Sequence, residues 1–314
     1  MIYSDYAKLD RYGLLIFVFF FVIVAAMLED KYLVRINRFI QDMPPLSVSV
    51  SRILELSKNP KVDAKMLNDV ISVDPVLTGK VLKLVNSAYY SMPNRVTSLV
   101  RAIVMLGINT IKNLVISTGV ISAVNQKKDE NGALDMTSFW RHSVGVGVLA
   151  KFLALKQNVD PKLVEEYFVA GLLHDIGKLP LDFVIAEGYK DIVELSKNKK
   201  LPLYQLESKY LGINHAELGE RIVDLWKLPT NLRETITFHH NIDDVHPQFK
   251  RLVSTVMIAN NISNKIWSGA AGDYAVEEDI SLLLENTGLT ENDLNEAVLN
   301  ADAGVKKAEI FLNI

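Results

Sequence analysis

The stretch GLLHDIGKLP, residues 171–180, places an imidazole next to a carboxylate, with an ammonium group three residues further along. These groups belong to His174, Asp175 and Lys178. Imidazole and carboxylate groups bind divalent transition metals, and a metal ion held by them can activate a water molecule for hydrolysis. Because the chain has no cysteine, any metal must be held by imidazole, carboxylate or amide oxygen. An adjacent His-Asp pair is common, so a metal site requires further ligands.

Histidine supplies the further candidates. The chain has six histidines, and five of them fall where a helix can point them toward a common interior. A single inward histidine is more often an ordinary core residue than a ligand, but several buried imidazoles with no shared partner would be costly. We therefore predict a shared polar or metal site rather than a coincidence. Its candidate members are His142, His174, Asp175, His215, His239 and His240, and His246 is left outside.

Helical periodicity predicts the elements that carry the first two histidines. His142 lies in FWRHSVGVGVLAKFL, where apolar residues recur at spacings of three and four and so share one face of a helix with the histidine. Asp160 and Pro161 predict the start of a helix that ends at His174, because aspartate caps helices and proline fits their first turn. Gly171 lies on that helix, where a small residue would let another helix or an ion come close.

The remaining histidines are placed by a capping box and an apolar stripe. Asn214 and Glu217 have capping-box spacing, which puts His215 in a first helical turn. The predicted face of that helix continues through Leu218, Ile222 and Leu225. A further stripe, Leu232 and Ile236, leads to His239 or His240.

One more predicted helix carries a polar residue, Asn260, on an apolar face. An isolated asparagine there is most often a buried amide bonded to the backbone, but its place near the histidines makes it a candidate ligand. The face consists of Phe249, Leu252, Val253, Val256, Asn260, Ser263 and Trp267.

The part of the chain before His142 is also helical in pattern. Asp74-Pro75 predicts a helix start, and Ser98 predicts the cap of a helix that Gly107 ends. No run of strand-like alternation is convincing. The polar stretch QKKDENGAL, residues 126–134, is the best candidate for a linker.

Composition excludes some classes of protein. The chain has 314 residues, of which 49% are apolar and 23% charged, so most of it can form a packed core. A formal net charge of -3 makes no case for a nucleic-acid-binding surface. The absence of cysteine excludes disulfides and suits a reducing compartment.

Residues 12–28, YGLLIFVFFFVIVAAML, form the most apolar run of the chain. As a helix the run would span roughly 25 Å, within the lower range for a membrane-spanning segment. We expect a membrane anchor; the alternatives are a cleaved signal peptide, a buried helix, or a translation start at Met27 or Met43. The basic residues after the run outnumber those before it, which favours a cytoplasmic body anchored at the inner membrane. They are Lys31, Arg35 and Arg38 against Lys8 and Arg11.

Several segments together resemble the HDOD domain, the HD-related output domain of bacterial signalling proteins. They are MPPLSVSVSRILEL, DPVLTGKVLKLVNSAYYSMPNRVTSLVRAIVMLGINTIKNLV, WRHSVGVGVLAKFLA, LLHDIGKL, HAELGERIVDLWKLP and FHH. The resemblance covers about residues 39–240, and the tail to residue 314 is also similar to HDOD proteins. It implies an all-α fold in which a front helical bundle packs on an HD-like helical core.

With this resemblance we divide the chain into five parts. They are an apolar N-terminal segment (1–32), a front helical half (33–125), a linker (126–137), an HD-like core (138–267) and a C-terminal helical extension (268–314).

The resemblance also implies roles for individual residues. In related HD phosphohydrolases a histidine, an HD pair, further histidines and a late aspartate bind metal, which matches His142, the pair His174 and Asp175, then His215, His239 and His240. Lys178 matches the lysine that contacts substrate phosphate in those enzymes. The late aspartate is replaced here by Asn260 or Asn261, and an amide carries no charge to bridge two metals. The GYP signature is also missing after the double histidine, which argues against hydrolysis of cyclic di-GMP.

We therefore predict a regulatory signal-transduction protein that binds a signalling protein partner and is not an enzyme. Its pocket would hold one or two ions of iron, manganese, zinc or nickel. The alternative is a divergent metal-dependent phosphohydrolase acting on a nucleotide or another phosphoester. A third hypothesis is a non-signalling helical scaffold tied to the membrane.

Overall fold

The computed structural model describes residues 32–59, 61–126, 132–277 and 279–313. All regular structure in these residues is helical, with no β-strand, which confirms the predicted all-α class. The apolar run at residues 12–28 lies outside the described residues, as do the alternatives proposed for it.

The described helices follow one another with short connections. A helix over residues 32–41 is α1. It is followed by α2 (Val48–Leu56), α3 (Ala64–Ser72), α4 (Pro75–Val85), α5 (Leu99–Leu106), α6 (Ile108–Asn125), α7 (Met136–Lys156), α8 (Val164–Leu173), α9 (Lys178–Val184), α10 (Ala186–Lys199), α11 (Leu203–Leu211), α12 (His215–Trp226), α13 (Thr230–Phe238), α14 (Lys250–Ile266), α15 (Ser281–Thr287) and α16 (Glu291–Ala308). Single turns of 3-10 helix lie at Ile242–Asp244 and Pro247–Phe249, and a longer one at Glu309–Asn313.

In the front bundle, α2 to α6, the first four helices each begin with a side-chain cap. Asp74 accepts a hydrogen bond from the backbone N–H of Leu77 and Pro75 opens α4, as predicted. Ser98 caps α5, and Gly107 ends it with a φ of 83°, which only glycine adopts without strain. The apolar faces of α2 to α6 then pack on one another.

The HD-like core is built on a close crossing of α7 and α8. A Cβ at Gly171 would lie 2.9 Å from the backbone of Gly147, so the two helices meet backbone to backbone. This crossing brings the rings of His142 and His174 to 5.5 Å between centroids. The prediction that Gly171 admits a neighbouring helix is thus confirmed. The third helix of the core, α14, packs on both α7 and α8.

Two details of the sequence predictions were wrong. The helix that ends at His174 begins at Val164 and not at Asp160. The Asp160 carboxylate accepts the N–H of Lys162 instead and caps a separate turn over residues 161–163. In α12, Leu225 is 43% exposed, because Trp226 occupies the inward position at the end of this helix.

The segment before α7 is irregular but packed. Leu134 is buried, and its N–H donates to the carboxylate of Asp182. The regular helix α7 then begins at Met136. The domain boundaries stated above stay predictions.

The two halves meet through the aromatic pair of the VNSAYY segment. Tyr90 donates a hydrogen bond of 2.6 Å to Glu165 on α8, and Lys151 on α7 donates one of 2.7 Å to the same carboxylate. Tyr89 packs on Phe168 and on Phe311 of the C-terminal 3-10 helix. Front bundle, HD-like core and C-terminal extension therefore share one buried contact.

No single helix within the described ranges is both long and apolar enough to cross a membrane; α5 and α6 satisfy the criterion only as a pair, which bends by 118° at Gly107.

Candidate metal centre

Except for His142, the predicted ligands come together at or next to the ends of helices. His142 lies within α7, His174 caps the end of α8, and His215 is the first residue of α12. His239 caps the end of α13, and His240 follows it. The turn between α8 and α9 contributes Asp175. Gly177 in that turn is required, because a Cβ there would collide with the backbone carbonyl of His215.

Asp175 is the centre of the cluster. Its Oδ2 lies 3.7 Å from Nε2 of His142 and 3.4 Å from Nε2 of His174. Its Oδ1 lies 3.3 Å from Nε2 of His215 and 3.5 Å from Nε2 of His239. The two carboxylate oxygens thus face two different pairs of histidines.

His240 completes the second group. Its Nε2 lies 2.9 Å from Nε2 of His215, and its ring stacks on Tyr204 with 4.2 Å between centroids. His240 is half-buried, whereas Asp175 and the other four candidate histidines are buried.

The nitrogen Nδ1 of each buried histidine lies within hydrogen-bonding distance of an oxygen atom. A backbone carbonyl or a carboxylate can only accept, so Nδ1 of His174, His215 and His239 must donate, whereas the Ser263 hydroxyl beside His142 can donate or accept. In the neutral form of an imidazole whose Nδ1 donates, Nε2 keeps the lone pair that binds metal. Metal-binding histidines in proteins are oriented in this way. The contacts are His142 to Ser263 Oγ (3.0 Å), His174 to the Gly171 carbonyl (2.7 Å), His215 to Glu207 Oε2 (2.6 Å) and His239 to the Ile236 carbonyl (2.9 Å).

The cluster contains buried polar atoms that lack a hydrogen-bond partner. They are Nε2 of His142, Nε2 of His174, Oδ1 of Asp175 and Oδ1 of Asn260. Leaving such atoms unpaired in a protein interior costs free energy, and a cation would satisfy several of them together. The donors fall into two groups whose atoms lie within 4.8 Å of one another, namely His142, His174 and Asp175, and His215, His239 and His240. These residues fit one or two metal ions.

The protonation states suit a cation. Burial lowers the pKa of His142 to about 4 and that of His174 well below its usual value. Burial opposes ionisation of Asp175, but His174 and Lys178 outweigh it and hold the pKa of this carboxyl well below its usual range. Most of the imidazoles are therefore neutral around an ionised carboxylate, which is the state that binds metal.

His215 is the exception among the histidines. Burial disfavours its charged form, but the adjacent carboxylate of Glu207 more than offsets this and raises its pKa to about 9. Glu207 itself is fully buried, and its other oxygen accepts a hydrogen bond from Tyr189.

Lys178 is directed into the cluster. It is 2% exposed, and its Nζ donates to Oδ2 of Asp175 over 2.6 Å. Lys178 is not among the residues that line the cavity that reaches the cluster.

That cavity, of about 190 Å³, opens at His239 and His240. Asn260 and Asp273 line it together with the ring of Tyr204. Asn260 is the asparagine at the cluster, because it lines the cavity with His239 and His240 and its Oδ1 is a buried acceptor without a hydrogen-bond partner. Asn261 turns away, and its side chain makes two hydrogen bonds to the backbone of Glu277.

Sequence reasoning missed four residues around the cluster. Ser263 was named only as part of an apolar face, and Tyr189 and Asp273 were not noticed. Glu207 had a usable signal, because it lies four residues after Leu203 and four before Leu211 on the buried face of α11. A carboxylate on an apolar stripe indicates a buried partner.

Comparisons with known proteins agree with this architecture. The chain matches the HDOD domain model over residues 43–242. An uncharacterized protein of Treponema pallidum (strain Nichols) is 30% identical over 221 residues, which are 70% of this chain and 42% of that protein. The chain thus spans less than half the length of this relative.

Solved structures share the fold at low identity. An HDOD domain protein of unknown function from Geobacter sulfurreducens has a TM-score of 0.67 and 23% identity, covering 90% of this chain and 97% of that one. A Marinobacter aquaeolei VT8 chain provisionally assigned as a signal transduction protein has a TM-score of 0.69 and 22% identity, covering 88% and 61%. A Shewanella amazonensis SB2B chain provisionally assigned as a phosphohydrolase has a TM-score of 0.65 and 22% identity, covering 88% and 98%.

Proposed function

The chain belongs to the HDOD domain family, and from this premise we propose that it is a signal-transduction module that binds a transition metal and a protein partner without hydrolysing a phosphoester. The metal would be held by His142, His174 and Asp175, with Asn260 beside them, and by His215, His239 and His240 with the other oxygen of Asp175. Iron, manganese, zinc and nickel all accept such imidazole and carboxylate ligands. When bound, the ion would supply the positive charge that the unpaired lone pairs of the buried imidazole, carboxylate and amide groups can bind.

The placement of Lys178 carries the non-catalytic part of the proposal. A lysine that contacts substrate phosphate must reach the cavity, but this ammonium is buried and donates to Asp175. The cavity holds about 190 Å³, below the roughly 300 Å³ at the lower end of small-molecule pockets. The position of a late carboxylate is taken by an uncharged amide, Asn260. Together these features argue against turnover of a phosphoester.

One observation favours the second candidate, a divergent metal-dependent phosphohydrolase. Asp175 presents one oxygen to each histidine group, as a carboxylate that bridges two metals does. Hydrolysis would require water bound to such ions and a substrate that enters past His239 and His240. This candidate predicts phosphoester turnover that is lost in His174→Ala and kept or raised in Asn260→Asp.

Metal content and turnover of the full chain test the proposal. We expect one or two equivalents of transition metal per chain by elemental analysis, and their loss in His174→Ala and Asp175→Ala. His246→Ala is the matched control, because this histidine lies outside the cluster and caps a 3-10 turn. A panel of nucleotides, cyclic dinucleotides and simple phosphoesters should show no metal-dependent hydrolysis. Sustained hydrolysis that His174→Ala abolishes would establish the second candidate instead, and a metal-free wild type would refute metal binding.

We also propose that residues 12–28 attach the chain to the inner membrane, with the helical body in the cytoplasm. The support is the apolar run and the basic residues after it. The full chain should sediment with membranes and resist extraction by alkaline carbonate. A variant with Phe19, Phe20 and Phe21 changed to aspartate should stay in the soluble fraction. Equal partition of both proteins would contradict the anchor.

A further inference from the structure

A groove of about 760 Å³ lies on the front bundle, between α4 and residues 92–97, and shares no residue with the metal centre. Its walls are held together by Asn86, at the end of α4. The Asn86 amide donates to the carbonyls of Leu82 and Val96, both over 2.8 Å, and its oxygen accepts the N–H of Val96 over 2.7 Å. Because these hydrogen bonds fix the loop on the helix, the groove exists before any partner binds.

Gly79, in the middle of α4, forms part of the groove. Glycine destabilises a helix interior relative to alanine, so it needs a reason there. Neither of the usual reasons applies, since its φ is not positive and a Cβ would meet no atom within 4 Å. The residue is exposed. A missing side chain at this point leaves room for another molecule to approach the helix backbone closely.

The groove is basic on both sides. Lys83 lies on α4 and Arg95 on the opposing segment. They belong to a region, residues 32–126, that has eleven Lys and Arg against five Asp and Glu. Residues 132–314 have the opposite balance, with eighteen against twenty-six. The net charge of the chain hides this division, which favours an acidic partner at the front bundle.

Apolar groups accompany the positive charges. Leu82, Met92 and Val96 line the groove. Val76 lies one turn before Gly79 on α4 and is 68% exposed, and Val100 just beyond the loop is 52% exposed. Apolar side chains of a peptide would be buried on these surfaces, whereas a sugar-phosphate backbone would leave them unused.

We propose that this groove is the docking site for an acidic segment of a partner protein that also carries apolar side chains. The proposal rests on the proposed function as a signalling module and adds where the partner binds and what chemistry it has. Gly79 would admit the backbone of the segment, and Lys83 and Arg95 would pair with its carboxylates.

Selection of random 16-residue peptides on the full chain tests the proposal. We expect the enriched peptides to be acidic and to contain apolar residues. Their affinity, measured by calorimetry, should fall at least about tenfold in the double variant Lys83→Glu, Arg95→Glu. It should fall similarly in Gly79→Leu, where the added Cβ meets no atom within 4 Å and the rest of the side chain takes up space in the groove, and it should decrease with rising salt.

Gly188→Leu is the matched control, because Gly188 is also helical, exposed and free of contacts within 4 Å, but lies in the HD-like core. It should leave peptide affinity unchanged. Enriched peptides that are neutral or basic, failure to enrich any peptide, or affinity that is insensitive to both groove variants would overturn the proposal. So would displacement of the peptides by a single-stranded 12-mer DNA that binds more tightly.

The same preparation separates this proposal from the proposed function. If the metal content is normal but the peptide affinity is unchanged in the groove variants, the docking proposal is refuted and the proposed function is not. Phosphoester hydrolysis or absence of metal, together with groove-dependent peptide binding, contradicts the proposed function and leaves the groove supported.

Discussion

Glu207 orients His215 within the histidine cluster that we propose as a metal centre, although it is not itself one of the proposed ligands. One of its oxygens accepts both the backbone N–H and Nδ1 of His215, over 2.8 and 2.6 Å. The other oxygen accepts the hydroxyl of Tyr189 over 2.7 Å. A buried carboxylate in this position fixes the ring and makes its free nitrogen a stronger donor to metal.

We expect Glu207→Gln to weaken metal binding by roughly 10- to 100-fold, the usual effect of removing such a partner. A competition titration of the full chain against a chromophoric chelator measures this affinity. Tyr189→Phe removes only the second hydrogen bond and should have a smaller effect. Equal affinity of Glu207→Gln and wild type would show that the carboxylate is dispensable for orienting His215.

The buried histidines predict a loss of stability in acid for the metal-free chain. The pKa of His142 falls from 6.5 to about 4 on folding, because burial penalises the charged imidazole. Between these values the unfolded chain binds a proton that the folded chain does not, so the free energy of unfolding decreases as pH falls from 6.5 toward 4. For His142 alone the decrease is at most about 3 kcal/mol.

Urea unfolding of the metal-free chain at pH 7, 6 and 5 checks this prediction. His142→Gln removes the titrating group, so its stability should decrease less steeply with acid than that of wild type. His215 has the opposite effect on the pH dependence. Because its pKa is raised to about 9, its contribution to the free energy of unfolding is lost as pH rises through that value. Parallel pH profiles for wild type and His142→Gln would contradict the assignment of a neutral buried imidazole.

Among the helices, the crossing of α7 and α8 decides whether the site forms. Gly147 and Gly171 let the two backbones touch, and a Cβ at Gly171 would lie 2.9 Å from Gly147. Gly171→Ala should therefore destabilise the chain by roughly 1–3 kcal/mol, since a methyl group must be forced into a packed crossing. Gly188→Ala is the control, and because its Cβ meets open space it should be neutral or slightly stabilising. Thermal unfolding of both variants distinguishes the two, and an unchanged Gly171→Ala would show that the crossing can relax.

Helix starts that depend on neighbouring residues were predicted well from the sequence. The caps at Asp74, Ser98 and Asn214 form hydrogen bonds within three residues, so their pattern is visible locally. Asp160 has the same local chemistry but caps a single turn, because the helix proper begins only at Val164. The local signal marks a turn and does not give its length.

Contacts between distant segments were harder to predict. The convergence of five histidines could be inferred because the helical pattern placed each of them within, or next to an end of, a helix with an apolar face, and the family resemblance gave their order. The partner of His215 comes from α11, and Asp273 comes from a loop with no periodic pattern. The depth at which Lys178 is buried depends on how several helices pack around it, which no local spacing reveals.

At the scale of the whole molecule, the C-terminal extension is part of the structural core. Helix α16 packs along α7, burying Ala297, Ala301 and Val305. The 3-10 turn after it inserts Phe311, which is fully buried against Phe168 of α8 at 4.8 Å between ring centroids and against Tyr89 of the front half at 5.6 Å. One side chain near the end of the described residues therefore contacts both halves.

We expect Phe311→Ala to lower the free energy of unfolding by about 3–5 kcal/mol, because it leaves a cavity where three elements meet. The two halves should still unfold together in a single transition at lower denaturant concentration, since the hydrogen bond from Tyr90 to Glu165 and the contact of the Lys151 ammonium with the Tyr89 ring also join them. Leu299→Ala is the control on the neighbouring helix, where an 82% exposed side chain should contribute less than about 0.5 kcal/mol.

Two spectroscopic signals follow the unfolding of Phe311→Ala. Tryptophan fluorescence reports on the HD-like core, because this part contains all three tryptophans, Trp140, Trp226 and Trp267. Circular dichroism follows all helices. If the fluorescence transition of Phe311→Ala separates from the circular dichroism transition, the extension couples the halves, and the remaining contacts alone do not hold them together.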